Sequence, residues 1–143
     1  MTDWLLLHYN LSAKHSTHRV YIWRKLKRLG AVLLQDAIWI LPDTPRTEEQ
    51  FQWLTTEIRE MNGDVFLWRS KLVLGVQENV VEQQFSDQVN GEYSKLIKKM
   101  KRKNVDLREI SRQYQQIFLK DYFHSKVGQQ LREKLISLRQ DTK

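Results

Sequence analysis

The sequence predicts an α+β fold in two parts, a four-stranded sheet domain over residues 1–75 and an all-helical appendage over residues 76–143. Two observations support this prediction. In roughly the first seventy residues, segments of strand and helix character follow one another in the order β-α-β-β-α-β. From about Val76 onward, the hydrophobic residues recur only at helical spacing, and no further strand is convincing.

The first strand and the first helix follow from an apolar run and a helical stripe. Trp4 to Tyr9 is apolar apart from His8, which is typical of a buried strand. Ser16 is a suitable N-cap for a helix that would end at Gly30. One face of this helix carries its apolar residues, which are Ile22, Trp23, Leu26 and Leu29.

Two short apolar runs come next and predict a hairpin. Ala31 to Leu34 and Ala37 to Leu41 are separated only by Gln35 and Asp36, so they should pair as antiparallel strands. The turn lacks an Asn-Gly or Asp-Gly pair, which leaves its type open. Pro42 should end the second of these strands.

A second helix and a fourth strand complete the first domain. Thr47 and Gln50 have capping-box spacing, and Asn62-Gly63 should end the helix. Its apolar stripe is Phe51, Leu54, Ile58 and Met61. Asp64 to Arg69 then has strand character. The resulting βαββαβ order is the ferredoxin-like arrangement, an antiparallel sheet with both helices on one face.

Three helices are predicted in the appendage. The first runs from Glu78 to Lys103, with a possible break at Asn90-Gly91. Asn104 could cap the second helix, and Ser125 could cap the third. Their apolar stripes need partners, and we expect them to cover either the first domain or a second copy of the chain.

Composition restricts the chemistry of the chain. It has 143 residues, no cysteine and a formal net charge of +7. The absence of cysteine excludes disulfides, thiolate nucleophiles and cysteine-bound zinc. No apolar stretch approaches the length of about 18 residues that spans a bilayer, and the amino terminus lacks the pattern of a secretory signal. We therefore expect a soluble, cytoplasmic protein with an anionic partner.

The positive charge is concentrated in two segments. Six Lys or Arg residues and no acid lie between Trp4 and Gln35, and six more lie between Tyr93 and Val105, again without an acid. Such clustering is typical of a surface that binds phosphates, although a solvated helix face would have the same composition. The candidate DNA-binding or oxyanion-binding residues are Arg19, Arg24, Lys25, Lys27, Arg28, Lys98, Lys99, Lys101 and Arg102.

No motif in the chain indicates catalysis, a metal or a cofactor. His15 and His18 could share a helix face, but a metal site would need a third ligand. No glycine-rich phosphate loop and no nucleophile elbow is present. Among the tryptophans, Trp23, Trp39 and Trp68 are predicted to be core residues. Trp4 and Trp53 stay open, and an exposed Trp53 would mark an interface.

Three stretches resemble the amino-terminal domain of the chromate-resistance regulator ChrB. They are residues 4–12, residues 16–31 (STHRVYIWRKLKRLGA) and residues 34–42. Glu92-Tyr93 and residues 120–123 are similar to the helical tail of that domain. The resemblance implies a cytoplasmic regulator tied to chromate resistance that binds DNA. The full regulators carry a further carboxy-terminal domain, and if chromate sensing depends on that domain, it is not carried over to this chain.

A more distant resemblance is to the CRISPR-adaptation endonucleases and the central domain of PaaX-type repressors. In those nucleases an aspartate follows the first strand, whereas this chain has Asn10 at the matching place. A neutral amide is a poor ligand for a catalytic divalent cation, so nuclease activity is not expected. The comparison does imply a homodimer that binds duplex DNA.

Three functions follow, in order of preference. The first is a non-enzymatic, dimeric DNA-binding regulator that contacts duplex phosphates through the first helix. The second is an oxyanion-sensing or protein-interaction module of the chromate-resistance system, in which arginines hold chromate or another tetrahedral anion. The third, an endonuclease-type enzyme, is disfavoured because of Asn10.

Overall fold

The computed structural model describes residues 2–141 and confirms the α+β fold class, with a four-stranded antiparallel sheet followed by a helical region. Two compact units are present, the first ending at Val80 and the second beginning at Val81. The elements are β1 (Trp4–Asn10), α1 (Ser16–Leu29), β2 (Val32–Leu34), β3 (Ile38–Pro42), α2 (Pro45–Glu60), β4 (Asp64–Ser70), α3 (Gly75–Met100), α4 (Leu107–Phe118) and α5 (Lys126–Asp141).

The sheet has the strand order β2-β3-β1-β4, with every neighbouring pair antiparallel. Such an order requires a crossover between β1 and β2, which α1 provides, as expected for the ferredoxin-like arrangement. The two helices α1 and α2 contact each other, and α2 lies against β1 and β4. Ile22 and Leu26 of α1 and Phe51 and Ile58 of α2 are buried in this core.

Two of the predicted helix starts in the first unit were wrong. His15 occupies the N-cap of α1 without a capping side-chain bond, so Ser16 is the first helical residue. The cap of α2 is Thr44, which exchanges hydrogen bonds with Thr47 in a capping box. The sequence pattern predicts this capping box three residues later, at Thr47 and Gln50. Pro45 explains the earlier start, because its fixed φ suits the first helical position.

Two turns of the first unit contain residues with positive backbone φ angles. Gly30 has a φ of 79° at the end of α1, a conformation that glycine adopts without strain. Gln35 and Asp36 have φ angles of 49° and 59°, and the amide of Ala37 donates to the carbonyl of Leu34. These are the φ signs of a type I′ turn, which matches the twist of the hairpin.

Two of the three tryptophans assigned to the core were placed wrongly. Trp39 is buried as predicted, but Trp23 is 49% exposed and Trp68 is 54% exposed. Trp23 directly follows the buried Ile22, and one residue of helix rotates a side chain by about 100°. Trp68 lies on β4, where alternate side chains point to opposite faces. Trp4 is buried, and Trp53 is exposed.

The helices of the second unit differ from prediction in three respects. α3 continues through Asn90 and Gly91 without a break. Asp106 caps α4, while Asn104 lies in the preceding turn with a positive φ of 61°. The apolar stripes bury one another within the unit, through residues that include Tyr93, Ile110 and Leu131. We had expected these stripes to cover the first domain or a second copy of the chain, whereas they pack against one another.

A buried polar network joins α3 to the start of α5. The Tyr93 hydroxyl donates to Asp121 Oδ2 at 3.0 Å, and the Ser125 amide donates to the same carboxylate at 3.0 and 3.1 Å. Ser125 Oγ contacts Asn90 and accepts from the amide of Gly128 at 3.2 Å, which confirms Ser125 as the cap of α5. Burial, followed by the charge of Asp121, raises the pKa of Tyr93, so the hydroxyl keeps the proton that it donates.

Gly128 is required by the close approach of α5 to Tyr93. A Cβ atom at this position would lie 2.5 Å from Tyr93 Cε2, and the Tyr93 ring is fully buried. We therefore expect Gly128→Ala to lower the free energy of unfolding by about 1–3 kcal/mol, as overpacked core substitutions do. Urea denaturation followed by circular dichroism measures this change.

Gly91→Ala provides the matched control. Gly91 lies inside α3, and a Cβ atom there would meet nothing within 4 Å. This substitution should raise the free energy of unfolding by up to about 1 kcal/mol, because alanine loses less backbone entropy in a helix. Equal effects of the two substitutions would contradict the contact between Gly128 and Tyr93.

Candidate functional site

The candidate site is the outer side of α1, which we call the α1 surface. It consists of the exposed residues Arg19, Val20, Tyr21, Trp23, Arg24, Lys27 and Arg28. On the inner side of the same helix, Ile22 and Leu26 have no exposed area. Because the buried side holds the helix in place, the backbone that carries these cations is fixed.

Helical spacing arranges the α1 surface in two rows. Arg24 and Arg28 are one turn apart, beside an open cleft of about 430 Å³ that is also lined by Ser16, Val20 and Tyr21. The other row is formed by Arg19, Trp23 and Lys27, again one turn apart from each other. A second open cleft of about 340 Å³ lies beside this row and is lined by Tyr9, Ser16, Arg19, Val20 and Trp23.

The five predicted cations of α1 are not equivalent. Lys25 Nζ lies 2.8 Å from Glu57 Oε1 and 4.9 Å from the centre of the Tyr21 ring. The hydrogen bond to Glu57 is the main cause of a raised pKa for Lys25, so this residue stays charged but is paired. An anion would therefore have to compete with Glu57 for Lys25.

The other four cations are available to a ligand. Within residues 2–141, no carboxylate forms an ion pair with Arg19, Arg24, Lys27 or Arg28. Lys27 Nζ lies 5.8 Å from the centre of the Trp23 ring, within the range of a cation–π contact. These four side chains are the strongest candidates among the predicted site residues.

Sequence reasoning missed the aromatic part of this surface. Tyr21 and Trp23 are 41% and 49% exposed and lie among the cations. Trp53 of α2 is also exposed and lines a smaller cleft of about 180 Å³ with Lys25, Arg28 and Glu57. Helical rotation could have separated Trp23 from the stripe of Ile22 and Leu26, but its size and apolar character favoured the core.

The second predicted cluster lies in the second unit, at the end of α3. Lys98 and Lys99 occupy the last turn of α3, and Lys101 and Arg102 lie in the turn that follows. All four side chains are exposed. Lys99 Nζ donates to Gln113 Oε1 at 3.3 Å, so one member of this cluster has a neutral partner.

The histidines do not assemble a metal site with other ligands. The rings of His15 and His18 have centroids 5.0 Å apart. No group of three or more His, Cys, Asp or Glu residues in the described part of the chain could hold a metal ion. The helices between residues 2 and 141 are too short or too polar to cross a membrane.

Comparison with known proteins identifies the family. A family model described as Protein ChrB, N-terminal, matches residues 19–119, which is well over half of the chain. Protein ChrB of Cupriavidus metallidurans is 38% identical over 66 residues, a segment covering 46% of this chain and 20% of that protein. The aligned part is thus about a fifth of the curated relative. No solved structure matches the chain. The chain belongs to the ChrB N-terminal family.

Proposed function

We propose that this chain is a cytoplasmic, homodimeric DNA-binding regulator whose α1 surface contacts the phosphates of duplex DNA. Family membership links the chain to the regulation of chromate resistance. The proposal goes beyond this link in three respects, which are DNA binding, the phosphate contacts and the dimer. It includes no enzymatic activity. Affinity would come mainly from counterions released as cations replace them at the phosphates.

The observation that carries the proposal is a group of four cations on an anchored helix, none of which is paired with a carboxylate in the described part of the chain. Arg19, Arg24, Lys27 and Arg28 are exposed, and α1 contains no acidic residue. A flexible basic tail would lose much conformational entropy on binding, whereas the backbone of α1 is already ordered. Arginine side chains also donate paired hydrogen bonds to phosphate oxygens, which three of these four residues can do.

The cluster at the end of α3 is proposed as a secondary contact. Lys98, Lys99, Lys101 and Arg102 are exposed, but two of them lie beyond the last helical residue. Their backbone is therefore held by fewer hydrogen bonds than that of α1. We expect substitutions in this cluster to weaken DNA binding less than substitutions on the α1 surface.

An oxyanion site is the second candidate function. Arg24 and Arg28 are one helical turn apart on the 430 Å³ cleft, so both could donate to one tetrahedral anion. A single site of this kind needs only two arginines and no extended surface. It therefore differs from DNA binding in the number of cations that contribute.

The central test of DNA binding is the triple substitution Arg24→Gln, Lys27→Gln and Arg28→Gln. Removing three phosphate contacts should weaken duplex binding about tenfold or more and reduce the slope of log K against log salt by about 3. Thermal stability should change little, because these side chains are exposed. Fluorescence anisotropy with labelled duplex DNA at several salt concentrations measures the affinity and the salt slope.

A charge-matched variant on α5 is the control for this test. Lys126, Arg132 and Lys134 are exposed, and their replacement by Gln removes the same three charges from the second unit. The slope of log K against log salt should stay above half of the native value in this variant. If both triple variants lose the same affinity, binding depends on net charge alone and the α1 surface is not the site.

The ion pair between Lys25 and Glu57 allows a gain-of-binding test. Glu57→Gln should release Lys25 for a phosphate, so duplex affinity should rise and the salt slope should steepen by about 1. Glu60→Gln changes the net charge equally but removes an exposed acid of α2 outside the ion pair. Equal affinities of the two variants would show that Lys25 does not reach the DNA.

Calorimetry separates the oxyanion alternative from DNA binding. Titration with chromate and with sulfate should give heat in the native chain and none in Arg24→Gln/Arg28→Gln if these arginines form an oxyanion site. DNA binding without any chromate or sulfate heat would support the first proposal. Chromate added last to a DNA complex would report whether the two ligands share the same side chains.

A further inference from the structure

We infer that the outer edge of β4 pairs with β4 of a second copy of this chain, joining two sheets around a two-fold axis at Leu67. This inference names a surface for the dimer of the proposed function and is independent of the α1 surface. It rests on the edge position of β4, on the exposed aromatic side chains of that strand and on its neutral surroundings.

The first step is the edge itself. β4 lies at the end of the order β2-β3-β1-β4, so within residues 2–141 no strand pairs with its outer side. It is seven residues long and pairs with β1 without a bulge, from Trp4–Ser70 to Asn10–Asp64. Proline, charged side chains or a bulge often prevent an edge strand from pairing with another chain. β4 has no proline and no bulge, and its two charged residues are Asp64, at the start of the strand, and Arg69, which is ion-paired.

The second step is the aromatic cluster on one face of this strand. Phe66 and Trp68 are 56% and 54% exposed, and both stack with the ring of His8 from β1. The Trp68 indole donates to His8 Nε2 at 2.8 Å, which holds the Trp68 ring in one position. An ordered aromatic side chain loses less entropy on association than a mobile one.

The third step is electrostatic. The exposed Arg69 is paired with Asp43 at 2.5 Å and with Glu48 at 2.8 Å, and Lys71 is 3.5 Å from Asp3. The cations around β4 therefore have acidic partners, in contrast to those of the α1 surface. A neutral, aromatic edge favours a protein partner over a polyanion.

The fourth step identifies a second copy as the partner. Antiparallel pairing centred on Leu67 places Phe66 opposite the partner's Trp68, and Asp64 opposite the partner's Ser70. Aromatic cross-strand pairs stabilise antiparallel sheets, and no like charges face each other in this register. The strand is thus complementary to itself, as a two-fold interface requires.

Exposed apolar residues continue beyond the end of the strand. Val73 is 95% exposed and Leu74 is 58% exposed, in the loop between β4 and α3. Val76 and Val80 are also exposed. These exposed apolar side chains follow the strand in sequence, and exposed apolar residues in such number are typical of a protein that binds a partner.

Sedimentation velocity of the full chain without DNA tests the interface. The native chain should dimerise reversibly, and Phe66→Glu should weaken self-association at least tenfold, because it places a charge in the aromatic pair. Ile136→Glu, at an exposed apolar residue of α5, is the matched control and should dimerise as the native chain does. A native chain that stays monomeric, or equal losses in both variants, would overturn the inference.

Cross-linking tests the register, and the absence of natural cysteine makes it selective. Paired residues on antiparallel strands have Cα atoms about 4.5–5.5 Å apart, which suits a disulfide. Leu67→Cys should therefore form a covalent dimer on mild oxidation with diamide. Leu33→Cys, on the opposite edge strand β2, should not. Cross-linking of Leu33→Cys with none at Leu67 would place the interface elsewhere and overturn the inference.

Because no DNA is present in these experiments, their failure is distinguishable from failure of the DNA-binding proposal. A monomeric chain that still binds duplex DNA through α1 would remove only the β4 interface. A dimer that forms through β4 but binds no DNA would keep the interface and remove the proposed activity.

Discussion

The burial of Ile22 and Leu26 is the interaction on which the α1 surface depends. Both side chains are fully buried, and they hold the helix while Arg24 and Arg28 remain in solvent. Removing a buried aliphatic side chain of this kind costs about 2–5 kcal/mol, whereas an exposed charge contributes little to stability. The core therefore determines the position of the cations. Whether an individual cation is ion-paired has little effect on the stability of the fold.

The distribution of ion pairs separates two surfaces of the first unit. Lys25 is paired with Glu57 and Arg69 is paired with Asp43 and Glu48, so these cations are partly neutralised. Four cations of α1 have no ion pair within residues 2–141, and the aromatic residues Phe66 and Trp68 of β4 are exposed. We propose that the first surface binds a polyanion and that the second binds a protein, so that a dimer would carry two copies of α1.

Much of the fold was predictable because each element carries a local signal. The apolar runs, the helical stripes and the turn residues Gly30 and Asn62-Gly63 marked the order of the elements. Cap assignments were less reliable, since Thr44 and Thr47 are both suitable residues and only Pro45 distinguishes them. The packing of the second unit was not predictable, because an apolar stripe does not specify which surface will cover it.

The sequence alone determined the fold class, the resemblance to ChrB and the concentration of positive charge on the first helix, because these depend on residue type and spacing. The tertiary structure decided which cations are free, since the Lys25–Glu57 contact joins residues 32 positions apart. It also decided that Trp23 and Trp68 are exposed and that β4 is an edge strand. Such properties depend on which elements become neighbours, and that information is spread over the whole chain.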